Sequence, residues 1–200
     1  MKIYQHFSVV GFCNTYIIGG PEGGQAILID PGHVDNELIA IIERNHYTLG
    51  TILLTHRHKA HTQGVGTLLK IYSPKIYAYA EKVYDFPVTR IHGDETIDCG
   101  GIKVETIHVP GHSVDSLVFK ISHALFTGDT LNAGRTSSTP GYMERSILAD
   151  QIEKKLMCLD GNFLLFPGHG APSTINNERL FNPDLSERTA SQWIQSSHHS

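Results

Sequence analysis

Histidine side chains with the spacing of a metal site lie close together in the first third of the chain. His56, His58 and His61 form a His-x-His-x-x-His sequence. Residues two apart point to the same side of an extended segment, and a helical turn after His58 would return the His61 ring to the same point. Imidazole suits zinc, iron and similar ions. The spacing therefore predicts a metal site, with a histidine-rich surface turn as the alternative.

Four more side chains follow predicted apolar strands and favour the metal interpretation. Each comes after a turn rich in Gly, Pro or Thr, which is a poor place for a side chain that only packs. Functional groups converge in such loops, because the sheet fixes their positions and leaves them accessible. Histidines without this context, His6 among them, are predicted to lie on the surface or in loops. The side chains expected to join the site are Asp30, His112, Asp129 and His169.

Short apolar runs separated by Gly and Pro form the elements that must position these side chains. Residues 26–29 and 51–54 are continuous apolar runs, as expected for strands buried on both faces. One helix is predicted after Asp35, whose side chain can cap it, another over residues 64–72 and a longer one over residues 142–159. Strands with helices between them predict an α/β fold of mixed sheets with helices outside.

Length and composition predict a single domain and exclude several classes of function. The domain is expected to cover residues 1–200, ending in a polar tail from about residue 186. The net charge of −4 argues against a nucleic-acid partner, and no apolar segment is long enough to span a membrane. With no apolar leader, and with widely spaced Cys13, Cys99 and Cys158, we expect a cytoplasmic protein with reduced thiols.

Five segments, in chain order, resemble the motifs of the metallo-β-lactamase superfamily. The motifs are Ile-Asp-Pro-Gly at 29–32, Thr-His-Arg-His-Lys-Ala-His at 55–61, Pro-Gly-His at 110–112, Phe-Thr-Gly-Asp-Thr at 126–130 and Pro-Gly-His-Gly at 167–170. The stretches 134–136 and 174–183 resemble more specifically the short bacterial glyoxalase II-like metallohydrolases. The resemblance implies an αββα sandwich of two mixed β-sheets flanked by helices, with the site at one edge of the sheets.

The resemblance also implies a set of metal ligands. The ion would be Zn²⁺ in one or two sites, with iron or manganese as alternatives. A carboxylate behind the ligands would orient them, as such partners usually do. The residues carried over are His56, His58 and His112 for a first metal, Asp129 as the bridge, His61 and His169 for a second metal, and Asp30 as the orienting carboxylate.

Ala60 is the most consequential departure from the family pattern, which usually has Asp at this position. A methyl group cannot bind a metal, accept a proton or orient water. The second metal site therefore loses a ligand and a negative charge. We predict that a single-metal state is easier to populate here than in relatives, and that position 60, with Asp129, decides how well the site works.

The function implied is that of a metal-dependent hydrolase of a small ester, thioester or lactone, in the glyoxalase II-like hydroxyacyl thioesterase class. A bound divalent ion would supply hydroxide at neutral pH, and Ala60 would impair the reaction. Tyr142 is expected to pack in the core, with a substrate contact as the alternative. Two other functions stay open: a persulfide dioxygenase-like enzyme with one iron held by His56, His112 and Asp129, and a non-catalytic ligand-binding pseudo-enzyme.

Overall fold

A computed structural model gives the fold of residues 1–185, and the polar tail predicted for residues 186–200 lies outside this described part. Two six-stranded sheets are present, together with two short strand pairs. The short pairs are β6 (Lys82–Val83) with β7 (Phe86–Pro87), and β13 (Leu131–Asn132) with β14 (Arg135–Thr136).

The first sheet is mixed. Its strands, in spatial order, are β1 (Lys2–Phe7), β2 (Asn14–Gly20), β3 (Gly23–Ile29), β4 (Tyr47–Leu53), β5 (Lys75–Ala78) and β8 (Thr89–Arg90). β1, β2 and β3 pair antiparallel, whereas β3, β4, β5 and β8 run parallel. The apolar ends of β3 and β4 are buried, as predicted for central strands.

The second sheet is also mixed. Its strands, in spatial order, are β16 (Ser173–Thr174), β15 (Leu164–Pro167), β12 (Ala124–Gly128), β11 (Leu117–Ile121), β10 (Ile102–His108) and β9 (Glu95–Cys99). Only β12 and β15 pair in parallel, and the other neighbours are antiparallel.

Five helices complete the described part of the chain. They are α1 (Asn36–Arg44), α2 (Lys59–Thr62), α3 (Val65–Leu68), α4 (Tyr142–Lys155) and α5 (Ile175–Phe181). The Asp35 side chain caps α1 by accepting the Leu38 N–H, as predicted. The helix predicted over residues 64–72 is shorter in the structure, where α3 covers only Val65–Leu68. The helix predicted over residues 142–159 is α4, which ends at Lys155. No helix within residues 1–185 is long and apolar enough to span a membrane.

Three apolar layers hold these elements together. The middle layer, between the sheets, contains Tyr16, Ile29, Leu53, Phe119 and Phe126. A second layer packs α1 and α3 on the first sheet, and a third packs α4 on the second sheet. Full burial of one such aliphatic or aromatic side chain stabilises the fold by about 1.5–3 kcal/mol. The order helix, sheet, sheet, helix confirms the predicted αββα sandwich.

Backbone hydrogen bonds join the two sheets at one edge. The N–H of Leu117, in the second sheet, donates to the carbonyl of Thr55, just after β4, at 2.8 Å. The N–H of Asn14, in the first sheet, donates to the carbonyl of Gly168, just after β15, at 2.7 Å. Loops leaving both sheets are therefore fixed against each other where the predicted site residues lie.

Candidate metal centre

Three histidines meet at this edge. The Nε2 atom of His56 and the Nε2 atom of His112 each lie 2.9 Å from Nδ1 of His58. Asp129 Oδ2 is 3.8 Å from the His56 nitrogen and 3.7 Å from the His112 nitrogen. Ring nitrogens that converge on one point together with a carboxylate form the donor set of a zinc or iron ion. The geometry thus fits a cation held by these side chains.

Contacts behind two of the rings turn their Nε2 atoms toward the common point. The Nδ1 atom of His56 lies 3.0 Å from the hydroxyl of Thr55, which itself donates to a carboxylate. The Nδ1–H of His112 donates to the carbonyl of Ser138 at 2.7 Å. A ring that donates through Nδ1 keeps the Nε2 lone pair for a metal. The fold therefore selects the ring tautomer that a ligand needs.

His61, Asp129 and His169 form a second cluster that shares Asp129 with the first. His61 belongs to α2, so the chain does turn helical after His58. Asp129 Oδ2 is 3.3 Å from His61 Nε2, and Asp129 Oδ1 is 2.7 Å from His169 Nδ1. Among the described residues, the buried Nε2 of His61 has no hydrogen-bond partner. A buried ring nitrogen left in this way can serve as a metal ligand.

Asp30 connects both clusters to the strands. Its backbone has a φ of +52°, which turns the carboxylate back toward the ends of β3 and β4. Oδ1 accepts the Thr55 N–H at 2.8 Å, and Oδ2 accepts the Thr55 hydroxyl at 2.6 Å. Oδ2 also accepts the Nδ1–H of His61 at 3.0 Å, which leaves His61 Nε2 facing Asp129. Asp30 is thus placed to orient His61.

Burial and neighbouring rings keep the first cluster neutral. Desolvation, and then the nearby His61, lower the pKa of His56 to about 3. Desolvation and the neighbouring His112 also lower the pKa of His58. A histidine must be neutral to bind a metal, so these two rings are ready to act as ligands at neutral pH.

The second cluster is ionic. Burial alone would lower the pKa of His61, but the carboxylates of Asp30 and Asp129 outweigh it and raise this pKa. The hydrogen bond to Asp129 raises the pKa of His169. Burial disfavours the Asp129 carboxylate, yet both histidines hold its pKa well below the ordinary value. A cation bound here would replace protons on His61 and His169, so binding releases protons.

Two glycines let the loops approach the clusters closely. A Cβ atom at Gly168 would lie 2.5 Å from Cε1 of His61 and 2.8 Å from Oδ1 of Asp129. A Cβ atom at Gly128 would overlap the side chain of Thr55. Glycine is therefore required at both turns by the space available beside the site.

Ala60 lies in α2 directly beside the clusters. Its methyl group faces the loop between β1 and β2, where a Cβ atom on Gly11 would be 3.2 Å from the Ala60 Cβ. The thiol of Cys13, in the same loop, donates to the Ala60 carbonyl at 2.8 Å. Burial raises the pKa of this thiol to about 12, which keeps it protonated as a donor. The loop packs closely over position 60.

Several supporting residues have no signal in the sequence. Asn14 Nδ2 donates to the carbonyls of Pro167 and Gly170, and the Tyr16 hydroxyl donates to the Pro167 carbonyl. These bonds fix the loop that carries His169. His6 is a wrong prediction: it is buried in β1, where its Nε2 lies 3.0 Å from Asp35 Oδ1 and its Nδ1 has no hydrogen-bond partner among the described residues.

Tyr142 does not pack in the core. Its side chain is 87% exposed and lines a cavity of about 720 Å³. Arg135 and Ser138 line the same cavity, and the Ser138 carbonyl is the one that accepts the His112 ring. The expectation of core packing is therefore wrong, whereas the role of substrate contact stays a prediction.

Comparisons with known proteins agree with the fold. Residues 8–172 match the sequence profile described as the metallo-beta-lactamase superfamily. An uncharacterized protein from Treponema pallidum is 34% identical over 181 residues, covering 90% of this chain and 97% of the relative. A hydroxyacylglutathione hydrolase from Methylobacillus flagellatus is 30% identical over 173 residues, covering 84% of this chain and 66% of that enzyme.

A solved structure, ETHE1 from Myxococcus xanthus, superposes with a TM-score of 0.81 at 25% identity, covering 92% of this chain and 84% of that one. The same family is indicated by the layered fold, by the histidine and aspartate clusters at the sheet edge and by the matched profile. The chain belongs to the metallo-beta-lactamase superfamily, which consists mostly of metal-dependent hydrolases.

Proposed function

We propose that this protein is a metal-dependent hydrolase of a small ester, thioester or lactone, in the glyoxalase II-like hydroxyacyl thioesterase class. The observation that carries the proposal is the convergence of the His56, His58 and His112 ring nitrogens beside Asp129. The similarity to hydroxyacylglutathione hydrolases supports this reaction class.

In this proposal the two clusters have unequal roles. His56, His58 and His112 would hold a first ion, His61 and His169 would hold a second, and Asp129 would serve both. A divalent ion held by these residues would supply hydroxide at neutral pH and polarise a substrate carbonyl. Zinc is the proposed ion, because neutral imidazole and carboxylate ligands suit it.

Ala60 limits both the second ion and the reaction. The second cluster has two histidines and one carboxylate, so it binds its ion less tightly than the first cluster does. No carboxylate at position 60 holds the attacking water or accepts its proton. General acid–base help of this kind contributes about 10²–10⁴-fold to a rate. We therefore propose that the protein with Ala60 hydrolyses its substrate slowly.

The test compares Ala60→Asp with Ala60→Asn. Both side chains have similar size and must fit beside the loop that contains Gly11, but only Asp adds a charge and a basic oxygen. The proposal predicts that Ala60→Asp raises both zinc content per chain and turnover of a small thioester, whereas Ala60→Asn raises turnover far less. Equal turnover in both variants and the unchanged protein would contradict the role given to position 60.

A mononuclear iron enzyme is the second candidate, because the weakened second cluster suits a centre with one metal. His56, His112 and Asp129 would supply two histidines and one carboxylate. The structure directs His58 at the same point as the other two rings, which favours the three-histidine centre. Elemental analysis for iron, combined with oxygen uptake in the presence of a persulfide, separates the two candidates.

A further inference from the structure

A cavity of about 560 Å³ opens beside His58, and it shares no lining residue with the Tyr142 cavity. Its lining comes from three separate parts of the chain: the segment around α2, the β6–β7 hairpin and the loop before β11. Because His58 lines the cavity and also faces the other ring nitrogens, a group bound there is adjacent to the metal centre. The side chains that matter for its chemistry are Arg57, Thr62, Lys82, Tyr84 and Ser113.

The wall of this cavity carries two cationic side chains, one of which is paired with a carboxylate behind it. Arg57 and Lys82 both line it, and no carboxylate does. Lys82 is exposed on β6, and no aspartate or glutamate within residues 1–185 forms an ion pair with it. The two cations are far apart in the sequence, so no basic cluster is visible there. The fold alone brings them to one cavity.

Arg57 is held in position from behind. Its Nε donates to Oδ2 of Asp115 at 3.0 Å, and the Asp115 side chain is only 4% exposed. The hydroxyl of Ser113 donates to the other oxygen of the same carboxylate. The described residues accept no hydrogen bond from the terminal nitrogens of Arg57. A guanidinium fixed through Nε presents a rigid pair of donors that matches a carboxylate or phosphate.

Two hydroxyl groups lie on the same wall. The Tyr84 hydroxyl is 3.1 Å from the Thr62 hydroxyl, which also contacts the His58 carbonyl at 3.2 Å. Tyr84 also lines the cavity, and its φ of +52° places it in the left-handed region that is strained for a residue other than glycine. The wall therefore combines two cations with two neutral hydrogen-bonding groups.

We propose that this cavity binds an oxyanion group of the substrate, a carboxylate or a phosphate, through Arg57 and Lys82. The inference rests on the proposed function in one respect, because that function places the reacting carbonyl at the metal centre. The preferred substrates are then esters or thioesters that carry a terminal negative charge. Asp115 is a positioning residue, since it acts only by holding Arg57.

The test uses three aryl esters of equal length that end in a carboxylate, a phosphate or an uncharged methyl ester. A charge-assisted hydrogen bond changes an equilibrium by about 10-fold or more. The zinc-loaded protein should therefore have a kcat/KM about 10-fold higher for an anionic ester than for the methyl ester, mainly through KM. The better of the two anionic esters identifies the oxyanion.

Lys82→Met removes the charge and keeps the length of the side chain, and Lys103→Met on β10 is the matched control outside the cavity. Lys82→Met should abolish most of the preference for the anionic ester, whereas Lys103→Met should retain it. A preference that survives Lys82→Met, or that both variants lose equally, would overturn the proposal.

A binding measurement separates this inference from the proposed function. Succinate and inorganic phosphate are titrated calorimetrically into the zinc-loaded protein. Lys82→Met should raise the Kd of the better probe about 10-fold, and Lys103→Met should leave it unchanged. If that result is obtained while no ester is hydrolysed, the oxyanion site stands and the proposed function fails. If esters are hydrolysed without regard to terminal charge, the function stands and the oxyanion site fails.

Discussion

Replacing Gly168 with alanine tests whether His61 and Asp129 hold a metal in the positions described. The added methyl carbon would be 2.5 Å from Cε1 of His61 and 2.8 Å from Oδ1 of Asp129. Carbon atoms pack at about 3.5 Å or more, so the His61 ring must retreat by about 1 Å. Metal–ligand distances tolerate only about 0.2 Å. The Gly168→Ala variant therefore cannot keep His61 and Asp129 on one ion.

The expected result is a selective loss of the second zinc equivalent. Disturbing the groups that orient metal ligands typically costs about 10–100-fold in affinity, and moving the ligands themselves costs at least as much. The first equivalent, with three histidines of its own, should weaken less. Competition titration against a chelating indicator, with zinc counted by elemental analysis, measures both equivalents.

Gly170→Ala is the control for a general effect on this loop. A Cβ atom at Gly170 meets nothing within 4 Å, although its φ of +86° makes alanine strained there. This variant should lose stability and keep its zinc affinities. If Gly168→Ala binds both equivalents as tightly as Gly170→Ala does, then His61 and Asp129 do not bind metal in the described arrangement.

Three further substitutions test the supporting groups. Asp30→Asn keeps the side-chain shape but removes the charge that faces His61, so affinity for a second zinc equivalent should fall about 10-fold or more; unchanged affinity in the same titration would contradict this. Asp35→Ala removes the cap of α1 and should cost about 1 kcal/mol at pH 7, measured by urea unfolding. Burial opposes ionisation of Asp35, but the cap hydrogen bond and His6 lower its pKa. The carboxylate therefore stabilises the fold fully above the ordinary pKa of 3.8, and this stabilisation is lost as the pH falls through the lower pKa of the folded state. The difference in unfolding free energy between the unchanged protein and Asp35→Ala should shrink in that range, and a growing difference would refute the assignment. Glu178→Ala leaves the buried Asn182 amide and the part-buried Gly134 N–H and Ser173 hydroxyl without their acceptor. It should cost about 3 kcal/mol, with a loss under about 1 kcal/mol as the contrary result.

Features that depend on neighbouring residues could be predicted from the sequence. The continuous apolar runs of β3 and β4 and the Asp35 cap of α1 follow from local pattern, and the structure confirms them. The turns after each apolar strand also marked Asp30, Asp129 and His169 as residues that lie together. The assignment of Asp129 and His169 as metal ligands, and of Asp30 as the carboxylate that orients the ligands, stays a prediction.

Features that depend on distant partners could not be predicted. Buried Glu178 accepts from the Gly134 N–H, the Ser173 hydroxyl and the Asn182 amide, which fixes the β13–β14 turn to α5. Nothing in the local sequence reveals these contacts. The burial of His6 could not be predicted, because its partner Asp35 lies outside β1 and is brought to it only by the fold. Arg57 and Lys82 are likewise distant in the sequence, and only the fold brings them to the same cavity.

Anomalous diffraction from crystals of the zinc-loaded protein is the most direct test of the metal centre, with elemental analysis of the same protein as the count. We expect a full-occupancy peak within about 2.1 Å of His56 Nε2, His58 Nδ1 and His112 Nε2, and a weaker peak beside His61 and His169. A protein that binds no zinc, or a peak away from these three nitrogen atoms, would contradict the central claim that the converging rings form a metal site.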